Sequence, residues 1–353
     1  MFNWISSGVG GTSLVRFALF LAAALLTLAP RTALAQLTPD RTYYGHGREI
    51  PVTVGNLDDS VAEEFDIVLF NAAGDRVAKA SVLKGRVDLA TFFPILWSQN
   101  EPAVLYAQLY PGAGDAEGED LGEPEGPPLV LQPLLTPQRA SVNPDRSIRW
   151  SNTPPLFSGM RIYVDQLLKL NTTEGEAVFR LRPDEAPNTV WHIRELARGG
   201  FYTDIPFHRV VPTHPSGMPF VIQVGDPLGQ GGGGPGMFID LEQSELNHTF
   251  GVLSMARTRD PDTNGSQFFV ALSSEATVHL NGAYTAFGEA ISGAQTILAI
   301  ERTPLLDPNL PSNHPDAGRP ADPPRIVTAE LIDAPPFGTG PEPVQRPTPS
   351  GER

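Results

Sequence analysis

Phe207-His208-Arg209-Val210-Val211-Pro212, Phe220-Val221-Ile222-Gln223-Val224-Gly225-Asp226 and Asn264-Gly265-Ser266-Gln267-Phe268-Phe269 are the runs whose reading decides the fold. Each is a short apolar stretch bounded by Pro, Gly or Asn, which is the pattern of a buried strand between turns. Leu253-Ser254-Met255-Ala256 lies between the second and third runs, and Leu280-Asn281-Gly282-Ala283-Tyr284 and Phe287-Gly288 follow. Single polar side chains (Arg209, Gln223, Gln267) stand among Phe, Val, Met and Leu. No acid/base pair, nucleophile or metal cluster accompanies them. This composition suits an apolar groove with a few fixed hydrogen-bond donors.

Outward from that stretch, a chain of 353 residues has room for two domains, and a hydrophobic content of 41% supplies their cores. The 34 Gly and 36 Pro are about a fifth of the residues, below the level of whole-chain disorder. A formal charge of -15 argues against nucleic acid or an anionic membrane surface, which need clustered Lys and Arg. There is no Cys, which excludes disulfides, thiol catalysis and thiolate metal sites. The seven His show no tight ligand spacing, so neither a metal nor a cofactor is expected. Residues 1–35 read as a signal peptide: Arg16 is the positive n-region, Phe17 to Leu28 the apolar core, and Ala33-Leu34-Ala35 the cleavage site. The apolar run is too short for a membrane span. The expected locale is periplasmic or extracellular, with no membrane span once the signal is cleaved.

Residues 36–140 read as a small β-sandwich. Ile50, Val52 and Val54 alternate with polar partners, as do Phe65, Ile67 and Leu69, and then Leu105, Ala107 and Leu109. The pattern is similar to immunoglobulin-like modules, without a specific motif behind it. Residues 111–128 carry six acids and no base, and read as an extended loop. Residues 141–155 read as a linker, residues 156–335 as the second domain, and residues 336–353 as a disordered tail. Within the second domain a hairpin is expected at Asn171 to Gly175 and helices at Pro187 to Arg198 and Gly293 to Arg302. A last strand at Ile326 to Ile332 closes a mostly antiparallel sheet, and a barrel removes its edges.

The order and content of the motifs resemble the cyclophilin family of peptidyl-prolyl isomerases, over about Ile162 to Ile332. The resemblance implies an eight-stranded antiparallel barrel capped by two helices, a groove on its outer surface for an X-Pro peptide, and catalysis of rotation about the X-Pro bond. It implies Arg209 as the catalytic arginine, Gln223 as the glutamine that orients it, and Phe220, Phe269 and Leu280 as the pocket for the proline ring. His208, Val221 and Gln267 match other walls of the groove. Ala256 and Arg257 match the segment whose backbone pairs with the peptide. His279 stands at the family's tryptophan position and Tyr284 at its pocket histidine.

Thr213 to Pro219 is longer than the family pattern at that point and could narrow or extend one end of the groove. Gly229 to Gly236 lacks the Lys and Ser/Thr of a phosphate-binding loop and reads as a flexible loop. Partners are expected to be X-Pro-containing polypeptides. The alternative from another class is a non-catalytic scaffold of the cell envelope that binds Pro-containing partners without turnover.

Overall fold

The computed structural model describes residues 36–55, 64–112, 121–312 and 314–347. The expected signal peptide and the centre of the acidic loop lie outside these residues.

The protein is mostly β. Its first unit runs through β1 (Gln36–Pro39), β2 (Tyr43–Gly45), β3 (Pro51–Gly55), β4 (Glu64–Phe70), β5 (Arg76–Leu83) and β6 (Gly85–Asp88). Two single-turn helices follow, α1 (Leu89–Phe92) and α2 (Ile95–Ser98), and then β7 (Leu105–Pro111), β8 (Glu125–Leu135), β9 (Ala140–Val142), β10 (Ile148–Trp150) and β11 (Phe157–Val164). A three-stranded sheet, β1-β3-β6, shares an apolar core with a six-stranded sheet, β2-β11-β8-β7-β4-β5. Leu105, Ala107, Leu129, Leu131 and Ile162 face that core. The alternate residues Val104, Tyr106, Val130 and Tyr163 face the second unit and are also buried.

Two boundaries differ from the sequence expectation. β11, expected to open the second domain, pairs with β8 and β2 in the first. Residues 141–155, expected as the linker, hold the β9–β10 hairpin and lie between two strands of one sheet. The connection between the units is Asp165 alone, because β11 ends at Val164 and β12 begins at Gln166. An apolar alternation marks a strand but not the sheet it joins, which is why the boundary was misplaced.

The second unit contains β12 (Gln166–Thr172), β13 (Gly175–Leu181), α3 (Pro187–Arg198), β14 (Ile205–Pro206), β15 (Arg209–Val211), β16 (Val221–Val224), β17 (Val252–Met255), β18 (Phe268–Ala271), α4 (Ser274–Thr277), β19 (Ala286–Ser292), α5 (Ala294–Glu301) and β20 (Arg325–Asp333). Its sheet order is β14-β20-β12-β13-β19-β17-β18-β16-β15, with every pair antiparallel. Only Phe207 and His208 separate the two edge strands β14 and β15, so the chain itself carries one edge round to the other. Val210, Ile222, Val224, Phe268 and Val270 fill the interior beneath α3 and α5, each such burial contributing about 1.5–3 kcal/mol.

Residues 336–347 correct the expectation of a disordered tail. Phe337 stacks on Phe70 and Tyr106 of the first unit, and its N–H donates to Gln108 Oε1 at 2.8 Å. Val344 N–H donates to Ala290 O, and the Arg346 guanidinium makes a two-pronged pair with Glu301 at 2.7 and 2.8 Å. Composition alone misread this stretch: its few apolar and charged residues each meet a specific partner.

Candidate functional site

Strand register assembles the site. Arg209 lies opposite Gln223, and Gln223 opposite Phe269, in one row across β15, β16 and β18. Directly opposed residues share a face, so the inward direction of Val210, Ile222 and Phe268 sends these three outward. The next outward row is Val211, Val221 and Ala271. The candidate groove therefore lies on the outer face of the sheet, above a separate apolar cluster of Val221, Phe269 and Leu280 flanked by Val211, Phe220, Ala256 and Tyr284.

A chain of side-chain amides holds the polar edge. Arg209 Nη1 donates to Gln223 Oε1 at 3.3 Å, and Gln223 Nε2 donates to Gln267 Oε1 at 3.0 Å. Gln267 Nε2 in turn donates to the carbonyls of Gly231 and Gly233 at 3.1 and 2.8 Å. Among the described residues no carboxylate lies within ion-pair distance of Arg209. Burial lowers the Arg209 pKa, opposed by Tyr284, and in such a buried setting a hydrogen bond is strong.

The Gly-rich loop, expected to be flexible, is fastened from below. Asp226 is fully buried, and its carboxylate accepts the N–H groups of Leu228, Gln230 and Gly231 at 2.7, 2.9 and 2.5 Å. Burial raises the Asp226 pKa, but these backbone donors outweigh it and the net shift is downward. A Cβ on Gly233 would stand 1.9 Å from Asp226 Oδ1, so the close approach requires glycine there. Gly225, at φ +101°, is likewise required, because a Cβ would meet Ser266 O at 2.2 Å. His208 is buried beside this loop; burial lowers its pKa and Asp226 opposes the shift.

The longer loop at Thr213 to Pro219 folds onto the pocket. His214 packs on Phe220 with ring centres 5.0 Å apart, and Phe220 stacks on His279 at 5.6 Å and 12°. His214 and His279 are 5.8 Å apart, so the three rings form one aromatic wall. On the far side, Phe269 meets Tyr284 edge-on at 6.0 Å. The Arg257 guanidinium lies 4.4 Å over the Tyr284 ring and donates to Ala283 O at 2.9 Å. Arg257 thus braces the pocket with its side chain. Ala256 N–H is already taken by Gln267 O at 2.9 Å.

All twelve candidate residues fall around this one face. Sequence reasoning missed His248, which stacks under Phe269 at 5.9 Å and bonds Ser254 Oγ and Asn281 Oδ1 at 2.8 and 2.9 Å. It stands in a loop with no periodicity to mark it. Among the described residues no group of three or more His, Asp or Glu could hold a metal ion.

The family profile described as cyclophilin type peptidyl-prolyl cis-trans isomerase/CLD matches residues 167–331, the span of the second unit. The peptidyl-prolyl cis-trans isomerase-like 1 of Emericella nidulans is 36% identical over 169 residues, which are 46% of this chain and 93% of that protein. The peptidyl-prolyl cis-trans isomerase ppi1 of Schizosaccharomyces pombe is 37% identical over 172 residues, covering 47% of this chain and 98% of its own. Peptidyl-prolyl cis-trans isomerase B of Bacillus subtilis is 45% identical over 119 residues, covering 33% and 77% respectively.

Proposed function

This chain belongs to the cyclophilin-type peptidyl-prolyl cis-trans isomerase family, and from that premise we infer that the outer groove of its second unit is where it turns X-Pro bonds. Amide resonance imposes a rotation barrier of about 18–20 kcal/mol. No bond is broken, so a site lowers that barrier only by holding the twisted amide more tightly than either planar form. As resonance is lost the lone pair localises on the prolyl nitrogen. Arg209 donates to that nitrogen, while the proline ring sits among Phe220, Phe269 and Leu280. Gln223 and Gln267 hold the guanidinium at its angle. We count β14 and β15 as one bent strand of an eight-stranded barrel, and the first unit as an immunoglobulin-like sandwich.

The observation that carries this reading is a guanidinium fixed by a neutral amide chain, without a counter-ion among the described residues, beside an apolar pocket. An isomerisation assay on an X-Pro tetrapeptide tests it. Arg209→Ala is expected to lose about 10²–10³ in kcat/KM, the usual cost of one transition-state donor. Full activity in that variant would remove Arg209 from the role. Peptide binding without turnover by the wild type would select the scaffold reading.

The chain acts on proteins folding outside the cytoplasm in this proposal. Support comes from the Arg16, Phe17 to Leu28 and Ala33-Leu34-Ala35 pattern. The matching observation is a mature N-terminus at Gln36; a mature protein that still begins at Met1 would contradict export by this route.

A further inference from the structure

A second recess lies away from the groove. This cleft of about 940 Å³ between the two units is larger than one proline ring requires and at the upper end of ligand-site volumes. Pro137 and Trp150, from the excursion between β8 and β11, form one wall, and Trp191, Met237 and Phe238 of the second unit form the other. Met237 and Phe238 are 59% and 66% exposed. Isolated exposed apolar side chains are ordinary, but these two stand on the rim of a recess that already carries two tryptophans.

The cleft and the groove share that rim. Gln267 belongs to the groove, and Gly265, two residues earlier, lies under Phe238, where a Cβ would be 3.7 Å from the ring. The Gly265 carbonyl also faces His192 Nε2 at 3.0 Å, and His192 lines the cleft. Two trans peptide steps place Gly265 within ~7.6 Å of Gln267, Cα to Cα. An extended chain rises ~3.3 Å per residue, so about four residues beyond the one beside Gln267 carry a polypeptide from the groove past Gly265 to Phe238 on the rim of the cleft. The walls also favour one sign of charge. Asp240 lines the cleft without an ion-pair partner among the described residues; burial and the neighbouring Asp262 raise its pKa, with Arg139 opposing.

We propose that the interdomain cleft is a second half of the substrate surface, occupied by an extended apolar segment of the same unfolded polypeptide whose proline lies in the groove, with a basic side chain of that segment meeting Asp240. The assignment rests on the groove reading given above. It identifies the substrate class as long unfolded chains rather than short peptides and gives the first unit a role, since it supplies Pro137 and Trp150. Apolar side chains enter between the tryptophans and Met237 and Phe238, where they leave water.

Two substrates separate the cleft from the groove. A tetrapeptide extends about 13 Å in all, so with its X-Pro bond in the groove it ends short of the cleft; an unfolded protein whose refolding waits on X-Pro isomerisation can occupy both. The full chain is assayed as wild type, as the double variant Met237→Ser and Phe238→Ser, and as Trp150→Ser from the opposite wall. Tetrapeptide kcat/KM is expected to stay within about twofold, as for surface changes. Acceleration of protein refolding is expected to fall roughly tenfold in both variants, through KM, as when an aromatic anchor leaves a binding surface. Unchanged refolding acceleration in both would overturn the proposal. If the wild type fails on the tetrapeptide, the groove reading fails instead, and the cleft is then judged by binding of a reduced, carboxymethylated unfolded protein. Weaker binding by the double variant supports the cleft, and equal binding rejects it.

Discussion

Arg209 and Arg182 show what separates two arginines that look alike in composition. Arg182 is held by Asp184, Glu185 and Glu289 and is fully committed to structure. Among the described residues the Arg209 side chain bonds Gln223 Oε1 and no carboxylate, so its charge remains available. Its placement beside Gln223 and Phe269 was legible because three motifs could be read together; the amide chain behind it was not, because Gln267 meets the Gly-rich loop across more than thirty positions of sequence. Under the proposed function that chain gives Gln267 a positioning role. Gln267→Ala is expected to lower kcat by about tenfold, the usual loss when a supporting polar group is removed, with KM little changed because the proline pocket is untouched. Steady-state kinetics that instead raised KM alone would place Gln267 in ground-state binding.

Among the elements, α3 shows a signal that sequence carried only in part. Pro187 marks its start and Gly199-Gly200 its end, and the helix spans Pro187–Arg198 as the pattern requires. Its N-cap, Ala186, supplies no side-chain acceptor. The acceptor is Glu242, whose buried carboxylate takes Asn188 N–H, Thr189 N–H and Thr189 Oγ at 3.0, 2.7 and 2.7 Å. No local rule reaches a cap 54 positions away. The loop from Thr213 to Pro219 is the opposite case: its extra length was legible, its direction was not. With His214 stacked on Phe220 and near His279, it adds a wall that a peptide side chain next to the proline can touch. His214→Ala is expected to raise KM about threefold for tetrapeptides with an aromatic residue beside proline, in line with the roughly 0.5–1.5 kcal/mol of an aromatic pair. Substrates with alanine there should change little; an equal effect on both series would make the loop a scaffold only.

For the whole molecule, the two units form a continuous packed body across α3. Arg161 lies 4.8 Å over Trp191 and 5.4 Å over Tyr43, Tyr163 packs on Trp191 at 5.2 Å, and Arg194 sits 4.4 Å over Tyr163. Phe337 in the C-terminal strap closes the far side of the same interface. The single connecting residue, Asp165, has its pKa raised to about 6 by burial, with Arg194 opposing. The unfolded carboxyl ionises near pH ~3.9, so the folded state holds the proton more tightly. Stability from this group is therefore present below about pH 4 and is lost as pH rises through about 6. Asp165 remains partly open to solvent, and screening reduces the effect to about 1 kcal/mol. Asp165→Asn, which keeps the acceptor for Gln166 N–H, is expected to raise the denaturation midpoint near pH ~8 and to leave it unchanged near pH ~4. Urea titrations at the two pH values check the sign; a variant weaker at the higher pH would mean the ionised form is stabilised by Arg194.

The sequence by itself determined the mostly β character, the positions of α3 and α5, the family resemblance and the candidacy of Arg209, Gln223 and Phe269, because strand alternation, turn residues and motif order are local in the chain. Tertiary structure alone decided that β11 belongs to the first unit, that Asp226 anchors the Gly-rich loop, that residues 336–347 form a strap, and that a cleft joins the units beside the groove. The physical reason is the same in each case. A backbone pattern specifies which face of an element is apolar, but what covers that face, or accepts its free N–H groups, comes from residues tens to hundreds of positions away.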